Sequence, residues 1–251
     1  VWIISPSTGF TLNSGSLGSD NNGSTNINTW ISGTNAICPI FNTPGTYTIT
    51  LKAGGNSCSF DQITKTICVE APLVPNFTLA ESSGCSPQTI TATNTTVETN
   101  SCSPPTYVWS TTFVPSSCGT AIASIPNQTS ANASFNFTEP GTYSIKLTVT
   151  NSCTPSQSVI KTFTVKQPPK VTIAPIVPLC QTGVSTVINP TATIVNCGTQ
   201  TPLTYEWSFP SGTPATATTA NPGPISYTSS GIFSYSLKVT NECGTTTVNS
   251  S

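Results

Sequence analysis

Phe137-Thr138-Glu139-Pro140-Gly141-Thr142-Tyr143-Ser144-Ile145-Lys146-Leu147-Thr148-Val149-Thr150-Asn151 carries the plainest structural signal in the chain. Tyr143, Ile145, Leu147 and Val149 fall on one face of an extended segment and Ser144, Lys146, Thr148 and Thr150 on the other, the period of two of a half-buried antiparallel strand. Pro140-Gly141 suits the central pair of a type II turn leading into it, where glycine takes the positive φ. The pattern recurs upstream as Phe41-Asn42-Thr43-Pro44-Gly45-Thr46-Tyr47-Thr48-Ile49-Thr50-Leu51-Lys52. Downstream it reads Tyr227-Thr228-Ser229-Ser230-Gly231-Ile232-Phe233-Ser234-Tyr235-Ser236-Leu237-Lys238-Val239-Thr240-Asn241. The three glycines lie 96 and 90 residues apart.

Working outward, a Trp precedes each copy: Trp2, then Tyr107-Val108-Trp109-Ser110, then Tyr205-Glu206-Trp207-Ser208. A Trp on one strand followed by a turn into a later alternating strand is the order of strands C and F in an immunoglobulin-like sandwich, which needs roughly 100 residues for its core. The predicted fold is therefore all-β, with tandem immunoglobulin-like sandwiches arranged as a rod. The expected units are 1–71, running from strand C to strand G, then 72–168 as the complete copy, and 169–251, truncated in its last strand. Short Pro-bearing linkers, Glu70-Ala71-Pro72-Leu73-Val74-Pro75 and Lys166-Gln167-Pro168-Pro169-Lys170, act as semi-rigid spacers. The first unit is expected to fold only beside preceding residues or a neighbouring chain, since half a sandwich leaves strand edges open. If Tyr47 and Tyr143 form the hydrogen-bonded corner at the start of strand F, Phe233 has lost that hydroxyl, and the third copy is the weaker one.

The Trp-to-glycine distance shrinks from 43 to 32 to 24 residues along the chain, so the first unit carries an insertion. It includes the Gly/Ser/Asn stretch Leu12–Thr25 and Trp30, which has no counterpart in the other copies. Trp30 with Asp20, Asn21 and Asn22 is the candidate ligand contact, and Asp20-Asn21-Asn22 is the only acidic, amide-rich cluster that could approach a calcium ligand set. The alternative is a solvated loop with Trp30 in the core.

Composition excludes more than it assigns. Seven Lys, no Arg and eight acidic residues leave a net charge of −1. No basic stripe is present to displace counterions from phosphates, so nucleic acid is not an expected partner. With no His, Ser-His-Asp and Cys-His catalysis and histidine metal sites are ruled out. The carboxylates stand singly, whereas a glycosidase needs a facing pair. No catalytic residue, metal or cofactor is assigned. No apolar run reaches the ~20 residues of a membrane helix, and Val1-Trp2-Ile3-Ile4 carries no signal-peptide features, so membrane insertion is not expected and the chain reads as a mature segment or a fragment. Lys52, Lys146 and Lys238 recur on the outward face of the marker strand and read as solvated charges.

Ten Cys without a CxxC pair point to disulfides formed in an oxidising, extracellular compartment. Cys85 and Cys102 are 17 residues apart, as are Cys180 and Cys197, and Cys153 and Cys243 follow the marker strand at one offset. The B–C and F–G loops share one pole of a sandwich, which favours Cys102–Cys153 and Cys197–Cys243. The opposite pole suggests Cys85–Cys118, and Cys38 and Cys68 remain as a further pair. Cys58 then needs a partner before Val1, and the partner of Cys180 lies off the chain.

The Pro-Gly-Thr-Tyr strand ending in Thr-Asn, with Tyr-x-Trp some 25 to 35 residues earlier, resembles the polycystic-kidney-disease (PKD) domain over essentially the whole chain. It departs where that family often has Asp-Phe-Gly-Asp-Gly after the Trp: here stand Trp109-Ser110-Thr111-Thr112-Phe113 and Trp207-Ser208-Phe209-Pro210-Ser211-Gly212. In this form, with Ser211-Gly212-Thr213-Pro214-Ala215-Thr216 and Val239-Thr240-Asn241-Glu242-Cys243-Gly244, the chain is similar to tandem repeats in large secreted surface proteins of Bacteroidota, including gliding-motility adhesins. The resemblance implies a non-catalytic stalk or filament segment at the cell surface, whose partners are adjacent repeats or neighbouring chains. Two alternatives stand beside it. One is a module binding surface polysaccharide or matrix protein through Trp30 or through Phe113 and Phe209; the other is a self-assembling fibre subunit.

Overall fold

Alternation in the marker stretch becomes strand in every copy, starting at Gly45 and Gly141 in the first two and only at Tyr235 in the third. In the complete copy Tyr143, Ile145, Leu147 and Val149 are essentially buried while the residues between them are half-exposed. The computed structural model describes residues 1–55, 59–99, 101–153, 156–180 and 182–251. The fold is all-β, a tandem of immunoglobulin-like sandwiches, and the one helical element in the described residues is a single 3₁₀ turn at Ile27–Thr29.

In the first copy, β1 (Trp2–Ser5), β2 (Phe10–Ser14), β3 (Cys38–Phe41), β4 (Gly45–Ala53) and β5 (Asp61–Val69) form two sheets. One has the order β1-β4-β5 and the other pairs β2 with β3. Register runs antiparallel from Trp2↔Leu51 and from Gly45↔Val69. Ile4 and Tyr47 are buried, but Ile49 and Leu51 are only half-buried, unlike their counterparts Ile145 and Leu147.

The second copy adds β6 (Phe77–Leu79), β7 (Ser83–Cys85), β8 (Gln88–Asn94), β9 (Thr106–Pro115), β10 (Ala133–Phe137), β11 (Gly141–Thr150) and β12 (Gln157–Lys166). Its sheets are ordered β10-β8-β6 and β7-β12-β11-β9. β7 runs parallel to the end of β12, Ser83 opposite Thr164 and Cys85 opposite Lys166. Trp109 is fully buried, edge-on to Phe77 with ring centroids 5.1 Å apart, and Phe137 stacks on Tyr143 at 3.8 Å. The third copy comprises β13 (Lys170–Ile173), β14 (Thr186–Ile188), β15 (Ala192–Val195), β16 (Thr204–Ser208), β17 (Thr216–Ala217), β18 (Ile225–Tyr227), β19 (Tyr235–Asn241) and β20 (Gly244–Ser250). One sheet has the order β17-β16-β19-β20, and the facing strands pair as β13-β15 and β14-β18. Trp207, Phe209, Ile225, Leu237 and Val239 are fully buried between them.

Two local expectations meet the structure differently. The tyrosine corner forms: the Tyr47 hydroxyl donates to the Thr43 carbonyl at 2.8 Å and the Tyr143 hydroxyl to the Glu139 carbonyl at 2.9 Å, each four residues upstream. The marker glycines are not type II turn residues. Their φ values are 151°, 157° and 155° at Gly45, Gly141 and Gly231, against about +80° for that turn. Gly141 instead gives passage to a neighbouring backbone, since a Cβ there would come within 2.3 Å of the Val114 carbonyl oxygen.

By its contacts the chain divides into two compact units. One is Val1–Asn76 with Thr95–Tyr107 and Thr148–Ser158; the other is Phe77–Asn94 with Val108–Leu147 and Val159–Ser251. Each unit therefore gathers segments from more than one sequence repeat.

Candidate functional site: the stapled joints between repeats

Among the described residues three disulfides form, and every one joins cysteines of different repeats. Cys68 at the end of β5 bonds Cys102, in the loop after β8; their Cα atoms are 5.8 Å apart, and both lie in the first unit. Within the second unit, Cys85 of β7 bonds Cys243 in the β19–β20 turn, and Cys118 after β9 bonds Cys197 after β15, with Cα separations of 5.4 and 5.6 Å.

These bonds correct the expected pairs Cys102–Cys153, Cys197–Cys243, Cys85–Cys118 and Cys38–Cys68. The reasoning about poles is sound, because Cys102 and Ser152 both present backbone N–H groups to one carboxylate, that of Glu70. Each cysteine at a pole, however, meets the cysteine of the adjoining repeat rather than its neighbour in the same one. Cys38 and Cys180 are exposed and Cys153 half-buried, and these three are outside the disulfides of the described residues. Cys58 lies outside the described residues.

A polar clasp accompanies each set of staples. In the first unit Asn151 donates its amide N–H to the Ala71 carbonyl at 2.8 Å and accepts the Cys153 N–H at 3.1 Å. In the second unit Asn241 repeats this, donating to the Gln167 carbonyl at 2.9 Å and accepting the Cys243 N–H at 2.8 Å. Ala71 and Gln167 hold corresponding places in the two linkers. Asn241 is 4% exposed, the one buried polar residue among those described, so its bonds are made where an unmade one would cost about 1–3 kcal/mol. These asparagines close the marker strand in sequence, and their recurrence was the available sign of a joint.

Carboxylates complete the clasps. Glu70 accepts from Cys102 N–H and, at 3.0 Å, from Ser152 N–H. Glu242 accepts from the N–H and hydroxyl of Thr199 at 2.6 and 2.8 Å and from Gln200 N–H at 3.1 Å, and lies 3.2 Å from the Lys166 ammonium. Burial alone would raise the pKa of Glu242, but the donors of Thr199 and Gln200 outweigh it and bring it down to about 2. A carboxylate depressed in the fold and ordinary when unfolded stabilises the fold above its unfolded pKa of about 4.3, and that contribution is lost as pH falls towards 2. Melting temperature should therefore drop between about pH 4 and pH 2, and Glu242→Gln should flatten the profile in that window. An unchanged slope in the variant would remove Glu242 from the joint's energetics.

The inserted loop uses its predicted ligand contacts internally. Asp20 forms a 2.6 Å ion pair with Lys52 and accepts Gly23 N–H at 3.0 Å, and the Lys52 bond holds its pKa below the usual carboxylate range. Lys52 is accordingly not a solvated charge: alternation turns it outward from the sheet, but the insertion covers it, and its side chain is 14% exposed. Lys238 pairs at the surface with Glu206. Asn21 and Asn22, at φ 51° and 58°, shape the turn after Asp20. The loop is tied back by the Ser19–Ile31 bridge, and a Cβ on Gly18 (φ 72°) would lie 2.4 Å from Gly33 N. Trp30 is half-buried, donates its indole N–H to the Ser24 carbonyl at 2.8 Å and packs on Phe60 with centroids 5.2 Å apart. No group of three potential metal ligands occurs among the described residues, and no helix there is long and apolar enough to cross a membrane.

No protein-family profile matches the chain and no curated protein matches it in sequence. Among solved structures it is similar to the I67–I69 fragment of the titin I-band, with a TM-score of 0.45 and 14% identity over 100% of this chain and 85% of that one. It is also similar to Dpr2 Ig1-Ig2 in complex with DIP-Theta Ig1-Ig3, at 0.40 and 14% over 85% and 75%. A third is the Ig1-Ig3 ectodomain of mouse nectin-like molecule 4, at 0.38 and 12% over 96% and 79%.

Proposed function

We propose that the chain is a non-catalytic structural segment of an extracellular surface protein, a stalk or filament portion built from PKD-like sandwiches, which carries load and spaces a binding part from its anchorage. The observation that carries this reading is the placement of the disulfides: they reinforce the joints between repeats and leave each repeat's interior to its hydrophobic core. A Pro-bearing linker of five or six residues is by itself only a semi-rigid spacer. Two cross-joint disulfides and an Asn clasp between the second and third repeats add covalent and buried polar contacts to it. The disulfides also suit an oxidising exterior, where such bonds persist.

Pulling the ends tests the reading. With the bonds intact, tension runs from Val1 to Cys68, crosses to Cys102, returns to Cys85 and crosses to Cys243, so only about 90 residues can be drawn out at ~3.4 Å each. Reduction should therefore add roughly 500 Å of extensible length in single-molecule stretching of the whole chain. Equal contour lengths in oxidised and reduced protein would refute a load-bearing role for the staples.

A further inference from the structure

The second sandwich leaves open a sheet edge that the third closes. β9 is the outer strand of the sheet β7-β12-β11-β9. At Trp109 its edge is met by Gln128, whose carbonyl accepts the Trp109 N–H at 2.8 Å and whose N–H donates to the Trp109 carbonyl at 3.1 Å. Successive residues of a strand turn their backbone polar groups to alternate sides. Thr111 and Phe113 therefore face outward as Trp109 does, while Ser116, past the end of β9 on the other alternate set, sends its N–H to the Pro140 carbonyl beside β11. The outward N–H and C=O groups of Thr111 and Phe113 have no hydrogen bond among the described residues, and the return segment 116–127 reaches Gln128 without bonding either. In the third sandwich the same edge is covered. Phe209, two residues after Trp207 as Thr111 is after Trp109, donates its N–H to the Ala215 carbonyl at 2.8 Å, and β17 sets Ala217 opposite Trp207.

Nothing along the open edge repels another strand. Edge strands are commonly blunted by charged side chains, Lys above all, or by Pro, yet residues 101–119 carry no charge. Ser110-Thr111-Thr112-Phe113-Val114 is small, β-branched or aromatic throughout, and Val114 is 68% exposed. The open stretch is also symmetric. The Gln128 bridge bounds it at Trp109 and Pro115, which has no N–H, bounds it at the other end, so its two outward residues flank Thr112. Two such edges related by a two-fold axis at Thr112 set Thr111 of each opposite Phe113 of the other, and both pairs exchange N–H···O=C bonds. A flexible peptide would gain the same bonds only by ordering its backbone, whereas a second β9 is ordered already.

We propose that β9 is a self-association edge whose partner is β9 of a second molecule of this chain. The two sheets then run on as one antiparallel sheet, with Thr112 beside Thr112 on the axis and Ser110 beside Val114. The contact is isologous and closes at a dimer, which couples two chains side by side through their second sandwiches. It uses none of the cross-joint staples, so it stands or falls separately from their load-bearing role.

Sedimentation equilibrium of the whole chain should show the mass rising from one chain to two with concentration. Thr111→Pro removes an outward N–H and no bond to β11, a replacement that an edge position accommodates. It should move the midpoint of that rise to a concentration at least about tenfold higher, while the dilute protein keeps its cooperative melt. In a background with Cys38 and Cys180 replaced by Ser, Thr112→Cys should form a disulfide-linked dimer under oxidised glutathione, because the axis sets the two Cα atoms about 4.5 Å apart. Ser110→Cys lies about 13 Å from its symmetry mate and should stay unlinked. A single-chain mass at every concentration would overturn the proposal and leave the edge to a different chain. A dimer that Thr111→Pro leaves intact, or equal crosslinking at positions 110 and 112, would overturn it as well.

Discussion

Replacing Cys118 and Cys197 by Ser, or Cys85 and Cys243, should lower the melting temperature of the third sandwich by roughly 15 °C or more in each case. The magnitude follows from what the staples hold when that sandwich unfolds against a folded neighbour. Cys197 and Cys243 are then fixed points, and they divide the unfolded segment into loops of roughly 30 and 45 residues, each worth about 4 kcal/mol in the chain-entropy model. Losing both approaches the whole stability of a small domain, about 5–15 kcal/mol. The reduced protein should therefore keep a cooperative transition in the second sandwich and show the third unfolded near room temperature. Cys180→Ser is the matching control, since that thiol is exposed and unbonded; it should leave the melt unchanged. Calorimetry of the four proteins decides the matter, and coincident traces for the paired Cys variants and the parent would show that the staples add nothing to stability.

What could be read before the fold was known followed from periods and local chemistry. Alternation along Tyr143–Val149 identified a strand and its inner face, because a period of two leaves no choice of which side chains share a face. The tyrosine corner was legible because donor and acceptor lie four residues apart. The joints were not, because their partners are separated by 34 to 158 residues and belong to sandwiches whose mutual approach no local pattern encodes. Pole geometry placed the cysteines at the correct ends, yet the choice between a partner in the same repeat and one in the next depends on packing across the linker. Asn151 and Asn241 were visible as a recurring terminus and were silent about their role, since each bond runs to a linker carbonyl with no side-chain signature. Lys52 shows the opposite case: alternation placed it outward correctly, but an insertion more than 25 residues upstream folds over it and supplies Asp20.

The second large effect concerns Trp207, and it separates the sandwich core from its staples. Trp207 is fully buried, stacks on Phe209 with centroids 5.5 Å apart, and donates its indole N–H to the Thr219 carbonyl at 3.1 Å. Trp207→Ala removes that packing and leaves a cavity, a change that costs about 3–5 kcal/mol in a close-packed core. The third sandwich has little margin to absorb it. Its marker strand begins only at Tyr235, Phe233 provides no corner hydroxyl, and two buried tyrosine hydroxyls are unpaired. Hydrogen exchange should therefore show β16 and β19 losing most of their protection in the variant even with every disulfide intact, while β9 and β11 of the second sandwich keep theirs. Trp2 gives the comparison within one molecule: its indole N–H is also bonded, to the Thr34 carbonyl at 2.9 Å, but the ring is half-exposed, so Trp2→Ala should cost well under half as much. Retained protection in β16 and β19 of Trp207→Ala would mean that the staples, rather than the core, hold the third sandwich together. Loss of protection confined to those strands would show that the disulfides secure the joint and that each sandwich still depends on its own tryptophan.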